Sequence, residues 1–181
     1  IQAIGESVNE AHYAANGYSR NALEYYPSMV LEKLLQQRLK DLTASDGDLL
    51  DVSLRQDSHL LRGLFMMHYR AQSSVVPQTG AAKNLLARVL QPSITEEEFK
   101  RSKLAVISRL HDRNYVDCRL DVATYRLKSV KSELKSAASV KLSDVQNAAN
   151  SLKLQPVAQA FVIFQKVDAM KQKSDPDDPQ D

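Results

Sequence analysis

The stretch SITEEEFKRSKLAVISRLHDRNYVDCRLDVATYRLKSVKSEL, residues 93–134, decides the fold class because it begins with the strongest helix signal in the chain. Thr95 and Glu98 have the spacing of a capping box, in which each side chain binds the backbone N–H of the other residue. Ile94 and Phe99 occupy the two positions of a hydrophobic staple. The glutamates of the first turn place negative charge at the positive end of the helix dipole. We therefore predict that a helix begins here.

Apolar residues continue with helical spacing through the rest of this stretch. They are Phe99, Val106 and Leu110, followed by Val116, Leu120, Ala123, Leu127, Val130 and Leu134. Four polar residues at 111–114 interrupt the pattern between the two groups. The stretch therefore predicts two helices, or one kinked helix, that share a buried apolar seam.

The other elements are predicted from shorter patterns. Strands are expected at residues 10–17, 49–55 and 63–69 and at the end of 155–165, and helices at 26–42, 79–90 and 143–152. Only a short polar connection separates the second strand from the third, which favours an antiparallel pair. Ser143 and Gln146 indicate a second capping box. This order of elements predicts an α+β domain with helices packed on one face of an antiparallel or mixed sheet.

The length of 181 residues suits one domain better than two. We expect a single domain at residues 1–168 and a disordered acidic tail at 169–181, since the last residues are rich in Asp and Pro and lack an apolar anchor. The sequence begins with Ile1, and its first residues resemble neither a secretory signal nor a transit peptide. A processed or truncated product is the expectation.

Composition excludes several classes of function. The net charge is +2 and the basic residues are spread along the chain, so nucleic acid is not an expected partner. No apolar run approaches the roughly 20 residues of a membrane-spanning helix, so no direct membrane span is expected. Cys118 is the only cysteine, which rules out a disulfide within the chain and favours a reducing compartment.

No catalytic or metal-binding pattern is present. The histidines at positions 12, 59, 68 and 111 have no His or Cys partner at ligand spacing, so we expect no catalytic residue, metal or cofactor. Cys118 is predicted to be a structural thiol, and Thr79–Asn84 (TGAAKN) to be a helix N-terminus and not a phosphate-binding loop. A mixed-charge helix face, expected to be solvated, comprises Arg109, Arg113, Arg119 and Arg126 with Asp112, Asp117 and Asp121.

Four segments together carry a family resemblance. AHYAANGYSRNALEYYPSMVLEKLL (residues 11–35) looks like a strand, turn and helix that open a domain, and RGLFMMHYRAQ (62–72) looks like a later strand. ITEEEFKRSKLAVISRL (94–110) is similar to a characteristic helix start with Lys103 in the matching place, and KLSDVQNAANSL (141–152) to the element before a closing strand. In this order they resemble the pitrilysin-like metallopeptidases, in particular the mitochondrial processing peptidases and the core proteins of the cytochrome bc complex.

The chain also departs from the family. The zinc-binding motif H-x-x-E-H is absent, so no zinc ligand is carried over and a non-catalytic domain is expected. The glycine-rich segment that usually follows the opening helix, and that contributes to substrate handling in processing peptidases, is replaced by LKDLTASDGD (39–48).

The resemblance implies a catalytically inactive, peptidase-like structural subunit of a mitochondrial assembly. The first expectation is a protein like the core proteins of respiratory complex III, on the matrix side of the inner membrane, paired with another peptidase-like domain. Exposed parts of residues 63–69 and 115–127 are expected to make the contacts. One alternative is a non-catalytic, presequence-binding half of a mitochondrial processing peptidase. Another is a helical scaffold or accessory subunit unrelated to peptidases, in which case the strands are over-predicted.

Overall fold

The computed structural model of the chain describes residues 8–46, 49–57, 63–72, 81–155 and 158–163. In these residues the elements are β1 (Val8–Asn16), α1 (Tyr25–Ser45), β2 (Leu49–Asp57), β3 (Leu64–Gln72), α2 (Ala81–Leu90), α3 (Glu96–His111), α4 (Tyr115–Thr124), α5 (Val130–Ser139), α6 (Leu142–Leu154) and β4 (Ala158–Ile163). The acidic tail predicted at 169–181 lies outside the described residues.

The strands form one antiparallel sheet in the order β2-β3-β1-β4. β2 and β3 form the antiparallel pair that the sequence predicts. β1 pairs with β3 on one side and with β4 on the other. The first described strand is therefore an inner strand of the sheet, and the last described strand is its neighbour at the edge. Among the strands of the described residues, β2 and β4 therefore lie at the edges.

The helices cover one face of this sheet, as the α+β prediction requires. Alternate residues of the strands are buried beneath them: Tyr13 and Ala15 on β1, Leu54 on β2, and Phe65, Met67 and Tyr69 on β3. The residues between them point to the other face because successive side chains of a strand alternate. His12, Ser53 and Arg70 on that second face are exposed.

Helix α1 is the centre of the helical layer. Leu31, Leu34, Leu35 and Leu39 recur at helical spacing and are almost completely buried. The helix packs against β2 and also against α3 and α6. Pro27 lies in its first turn, where a missing N–H costs no hydrogen bond. The predicted helix at 26–42 is thus confirmed and extended by one turn.

A close backbone approach fixes the start of the connection from β1 to α1. The Gly17 N–H donates a hydrogen bond of 2.7 Å to the Gly63 carbonyl oxygen. A Cβ on Gly17 would lie 2.9 Å from the Gly63 carbonyl carbon, a distance that real Cβ atoms essentially never show. Glycine is needed at this position because the backbone segments at Gly17 and Gly63 pass so close to each other.

The helix start predicted at Thr95 is confirmed in detail. Thr95 Oγ1 accepts a hydrogen bond from the Glu98 N–H at 3.2 Å, and the Thr95 N–H donates to Glu98 Oε2 at 3.0 Å. The helix ends at His111, within the polar interruption. Asn114 then caps α4 by accepting from the Asp117 N–H at 2.8 Å.

The second half of the predicted seam is wrong. Three helices occupy the stretch, because α4 ends at Thr124 and α5 begins only at Val130. Arg126 has a φ of 53°, in the left-handed region that a non-glycine residue seldom adopts, and this conformation interrupts the helical phase. Val116 and Leu120 are 64% and 58% exposed, so the residues before the break do not share the buried face of those after it.

The second predicted capping box is also wrong in its residues. Helix α6 begins at Leu142, which places Ser143 inside the first turn. The Asp144 carboxylate accepts from the Lys141 N–H at 2.8 Å. It thereby caps the N-terminus of the helix, which lies two residues earlier than predicted. Asp144 therefore makes the capping hydrogen bond that was predicted for Gln146.

Candidate functional site

Two arginines and two carboxylates form a buried network between α1 and the later helices. The Arg20 Nη2 atom donates to Asp121 Oδ2 at 2.7 Å and to Glu133 Oε1 at 3.2 Å. Arg113 donates to the same two carboxylates, through Nη1 to Asp121 Oδ2 and through Nη2 to Glu133 Oε2. The Tyr26 hydroxyl donates to Glu133 Oε1 at 3.3 Å. The two positive and two negative charges balance.

Four different segments supply this network. Arg20 lies in the connection from β1 to α1, and Arg113 in the turn between α3 and α4. Asp121 lies on α4 and Glu133 on α5. The Glu133 residue is 1% exposed, and a carboxylate so buried requires partners of opposite charge. The network therefore holds α4 and α5 onto the body of the domain.

The surroundings keep Arg20 protonated and Tyr26 neutral. Burial alone would lower the pKa of the Arg20 guanidinium, but Tyr25, Glu133 and Asp121 raise it, and the net pKa is higher than usual. Burial raises the pKa of Tyr26, and the neighbouring Glu133 carboxylate raises it further. Tyr26 consequently remains a hydrogen-bond donor at neutral pH. Because arginines bind both carboxylates, the network offers no free general base.

Sequence reasoning placed two members of this network wrongly and missed the others. Arg113 and Asp121 were expected on a solvated helix face, yet they are partly buried ion-pair partners. Arg20, Tyr26 and Glu133 carried no local signal, since Arg20 and Tyr26 are more than 100 residues from their partners. The only sequence trace is the interruption at 111–114, where the polar residues include Arg113.

A cleft of about 850 Å³ lies beside the network. Its walls are the connection from β1 to α1, the loop before α5, and the facing sides of α5 and α6. Eight side chains with a hydroxyl or amide group line it: Tyr18, Asn21, Tyr26, Ser132, Ser136, Ser139, Asn147 and Ser151. The lining includes three basic residues, Arg20, Arg126 and Lys128, and three acidic residues, Glu24, Glu133 and Asp144. Basic and acidic residues therefore balance in the lining of the cleft.

Helix α4 presents an apolar face to solvent. Tyr115, Val116 and Leu120 are 74%, 64% and 58% exposed, and Ala123 is exposed as well. Val116, Leu120 and Ala123 are spaced i, i+4 and i+7, so they lie on one side of the helix. Cys118 is its buried residue, which agrees with a structural thiol. In the other predicted contact segment, 63–69, Leu64 is exposed.

The histidines do not form a metal site in the part of the chain that the structure describes. His12 and His68 are neighbours on β1 and β3, with ring centroids 4.7 Å apart, a proximity that their sequence separation did not reveal. His111 lies beside Asp112, and both are exposed. His59 lies outside the described residues. Within the described ranges, no group of three or more His, Cys, Asp or Glu side chains is arranged to hold a metal ion.

The start of α2 and the character of the helices bear on two further predictions. Helix α2 begins at Ala81, within the segment read as a helix N-terminus, while residues 79–80 lie outside the described ranges. Among the described helices, none combines the length and the apolar character that crossing a membrane requires.

Comparison with known proteins gives structural matches only. No family model matches the chain, and no curated protein matches its sequence. A chain of complex III from Candida albicans, with Inz-5 bound, matches with a TM-score of 0.68 and 15% identity over 85% of this chain and 42% of that chain. A peptidase M16 inactive domain from Pseudomonas fluorescens matches with a TM-score of 0.68 and 15% identity, covering 84% and 40% of the two chains.

A third match extends the range of similar proteins. The periplasmic protease PqqL from Escherichia coli has a TM-score of 0.70 and 13% identity over 89% of this chain and 20% of that chain. This chain thus spans less than half the length of each of these solved structures. Identities this low carry the fold and not the activity. The chain has an α+β fold like that of peptidase M16 domains and of a complex III chain.

Proposed function

We propose that this chain is a non-catalytic, peptidase-like domain that acts as a structural subunit through contacts with other proteins. The observation behind this proposal is the outward apolar face of α4, formed by Val116, Leu120 and Ala123. Exposed apolar side chains on one helix face indicate a protein–protein contact. The likeness to a peptidase M16 inactive domain supports the non-catalytic role.

The proposed partner is another peptidase-like domain. The proposed assembly is a mitochondrial respiratory complex resembling complex III, on the matrix side of the inner membrane, and the likeness to a complex III chain supports it. The edge strands β2 and β4 offer further surface, because unpaired strand edges recruit partners unless they are covered. Contacts through α4 and through a sheet edge would bury both kinds of surface.

A lack of catalysis has its own chemical basis. The sequence contains no H-x-x-E-H motif, which would place two zinc ligands and a general base on one helix. The purified chain should therefore leave peptide substrates intact even when zinc is added. Zinc-dependent cleavage that survives purification to homogeneity would contradict this part of the proposal.

The charge of the cleft and the presence of the sheet bear on the two alternative functions. A presequence is basic and amphipathic, and the cleft beside α5 has as many basic as acidic lining residues. The charge of this cleft therefore does not favour a presequence-binding half of a processing peptidase, which stays a prediction testable by titration with a presequence peptide. The purely helical scaffold is inconsistent with the four-stranded sheet.

Sedimentation of the purified chain tests the proposed contact surface. The unmodified chain should self-associate or precipitate as its concentration rises, because two copies cover each other's α4. The double variant Val116→Lys and Leu120→Lys should sediment as a monomer. Leu154→Lys is the matched control, since Leu154 is an isolated leucine on α6 that is also highly exposed. An unmodified chain that stays monomeric would contradict the contact surface.

Mass spectrometry of the proteins that co-purify with the endogenous chain tests the assembly. Respiratory-complex subunits cross-linked to residues of α4 are the expected companions. A zinc-bearing peptidase subunit in their place would favour the processing-peptidase alternative. Companions unrelated to either assembly would overturn the respiratory assignment.

A further inference from the structure

The cleft beside α5 has a size and a lining suited to a short segment of polypeptide. Its volume of about 850 Å³ lies in the upper part of the range of roughly 300–1,000 Å³ that is usual for ligand pockets. Hydroxyl and amide groups line both long walls, and they can exchange hydrogen bonds with a peptide backbone. Leu127 and Val140 supply apolar surface between them.

One wall of the cleft is a row of serines on α5. Ser132, Ser136 and Ser139 are spaced i, i+4 and i+7, so their side chains lie along the same side of the helix. Ser132 Oγ donates to the Ser129 carbonyl at 2.6 Å, and Ser139 Oγ donates to the Ser136 carbonyl at 2.8 Å. Ser132 Oγ also accepts from the Ser129 N–H at 3.0 Å, so it keeps one acceptor lone pair, whereas the donating Ser139 hydroxyl keeps both.

The segment that contains this wall is rich in exposed basic residues, and two of them, Arg126 and Lys128, line the cleft itself. Residues 126–141 contain five exposed cations: Arg126, Lys128, Lys131, Lys135 and Lys141. The only acidic residue in the same segment is Glu133, which is buried and bound by Arg20 and Arg113. Because Glu133 is already paired with Arg20 and Arg113, it does not neutralise the exposed cations of this segment. Clustered charges of one sign attract ligands of the opposite sign.

The opposite wall is different in charge. It includes Glu24, at the N-terminal end of α1, and Asp144, whose carboxylate already accepts from the Lys141 N–H. A bound acidic ligand would be repelled from this wall and attracted to α5. A bound acidic ligand should therefore lie nearer to Arg126 and Lys128 than to Glu24 and Asp144.

We propose that this cleft binds an extended, acidic segment of a partner protein, with the carboxylates of the segment facing Arg126 and Lys128. The backbone of the segment lies along the serines of α5 and the polar residues of α6. This site is distinct from the apolar face of α4 and does not depend on the function proposed for it.

Fluorescence anisotropy with a defined probe tests the site. The probe is a fluorescein-labelled peptide of alternating Asp and Ser, and its control has Asn in place of every Asp. The acidic peptide should bind the full chain, more weakly as salt is raised, because exposed charges are screened. The Asn peptide should not bind. Equal binding of the two peptides, or no binding of either, would overturn the proposal.

Two sets of variants locate the binding. The pair Arg126→Gln and Lys128→Gln, both exposed and lining the cleft, should weaken binding by about tenfold, because each exposed ion pair contributes modestly. The pair Lys83→Gln and Lys100→Gln changes net charge equally at exposed lysines on α2 and α3 and should leave binding unchanged. Equal losses from both pairs would mean that only overall charge attracts the peptide, and would overturn the site.

A variant that fills the cleft separates it from the surface above it. Ser136 is exposed and lines the cleft, so Ser136→Trp should fold and abolish peptide binding without changing any charge. Circular dichroism and the unfolding midpoint check its fold. Undiminished binding to the folded variant would place the peptide outside the cleft. Binding of the chain to phosphatidylserine vesicles without binding of the peptide would equally reject a peptide site in favour of a membrane surface.

Discussion

The Arg38 guanidinium binds the Glu98 carboxylate through two hydrogen bonds, from Nε to Oε1 at 2.7 Å and from Nη2 to Oε2 at 2.9 Å. Arg38 also donates to the carbonyl oxygens of Val89, Pro92 and Ser93. A single side chain of α1 thereby binds the end of α2, the following connection and the capping box of α3. The planar guanidinium is suited to this because it carries five donors in a fixed arrangement.

Replacing Arg38 with Lys should destabilise the domain although the charge is kept. An ammonium group cannot reproduce a paired contact with the carboxylate and reach three carbonyl oxygens as well. We expect a loss of about 2 kcal/mol in the free energy of unfolding, measured by urea denaturation. Lys40→Gln, an exposed change on the same helix, should cost less than about 0.5 kcal/mol. Equal effects of the two changes would contradict the role of Arg38.

The Glu98 carboxylate should make stability depend on pH. Its hydrogen bond from Arg38 is the main cause that lowers its pKa from 4.5 to about 2, and the bonds from Thr95 lower it further against an opposing effect of burial. The folded protein thus binds this proton more weakly than the unfolded chain. The stabilisation is complete above pH 4.5 and is lost as the pH falls towards 2.

The measurement compares the unmodified chain with Glu98→Gln across this range of pH. Glutamine can still cap the helix, so the variant mainly removes the ion pair with Arg38. The difference in the free energy of unfolding should be about 1–2 kcal/mol at neutral pH after screening by solvent, and it should shrink in acid. Glu96→Gln, in the same turn and exposed, is the control. A difference that does not change with pH would exclude an ionic contribution.

Replacing Glu133 with Gln should be among the most damaging conservative changes. The variant keeps the shape of the side chain but leaves Arg20 and Arg113 without one of their two carboxylates. Removing one partner from a buried ion-pair network costs about 3–5 kcal/mol, so thermal and urea unfolding should both shift strongly. Glu97→Gln, an exposed change, should have little effect. Similar unfolding curves for the two variants would show that the network contributes little.

Gly17→Ala should destabilise the end of β1. The new Cβ would meet backbone atoms of Gly63, and backbone atoms cannot move aside as a flexible side chain can. We expect a loss of about 1–3 kcal/mol in the free energy of unfolding. Asn16→Ala changes the exposed neighbour and serves as the control. If Gly17→Ala were neutral, the close approach of the two glycines would not persist in solution.

The parts of the fold that the sequence predicts are those specified by neighbouring residues. The start of α3 follows from Thr95 and Glu98, which are three positions apart, and the strand pair follows from alternation and a short connection. The break after Thr124 was not predictable in this way, because Leu127, Val130 and Leu134 continue an acceptable helical spacing. No feature of the neighbouring sequence indicates that Arg126 adopts a left-handed conformation.

The candidate site was harder to predict than the fold. The network depends on Arg20 meeting residues on α4 and α5, which the sequence places far along the chain. The cleft depends on the distance between α5 and α6, which no spacing of residues encodes. A sequence pattern can mark Lys128 and Lys131 as basic, but only the fold shows that Glu133 is turned away from them.

The apolar face of α4 also bears on how the protein folds. The ion pairs of Asp121 and the buried Cys118 hold helix α4 in place, while Val116 and Leu120 are mostly exposed. Its amide protons should exchange with deuterium through local opening, faster than those of α1. A partner seated on α4 would supply the missing burial, so the last step of folding becomes a step of assembly. The melting temperature should accordingly rise with protein concentration.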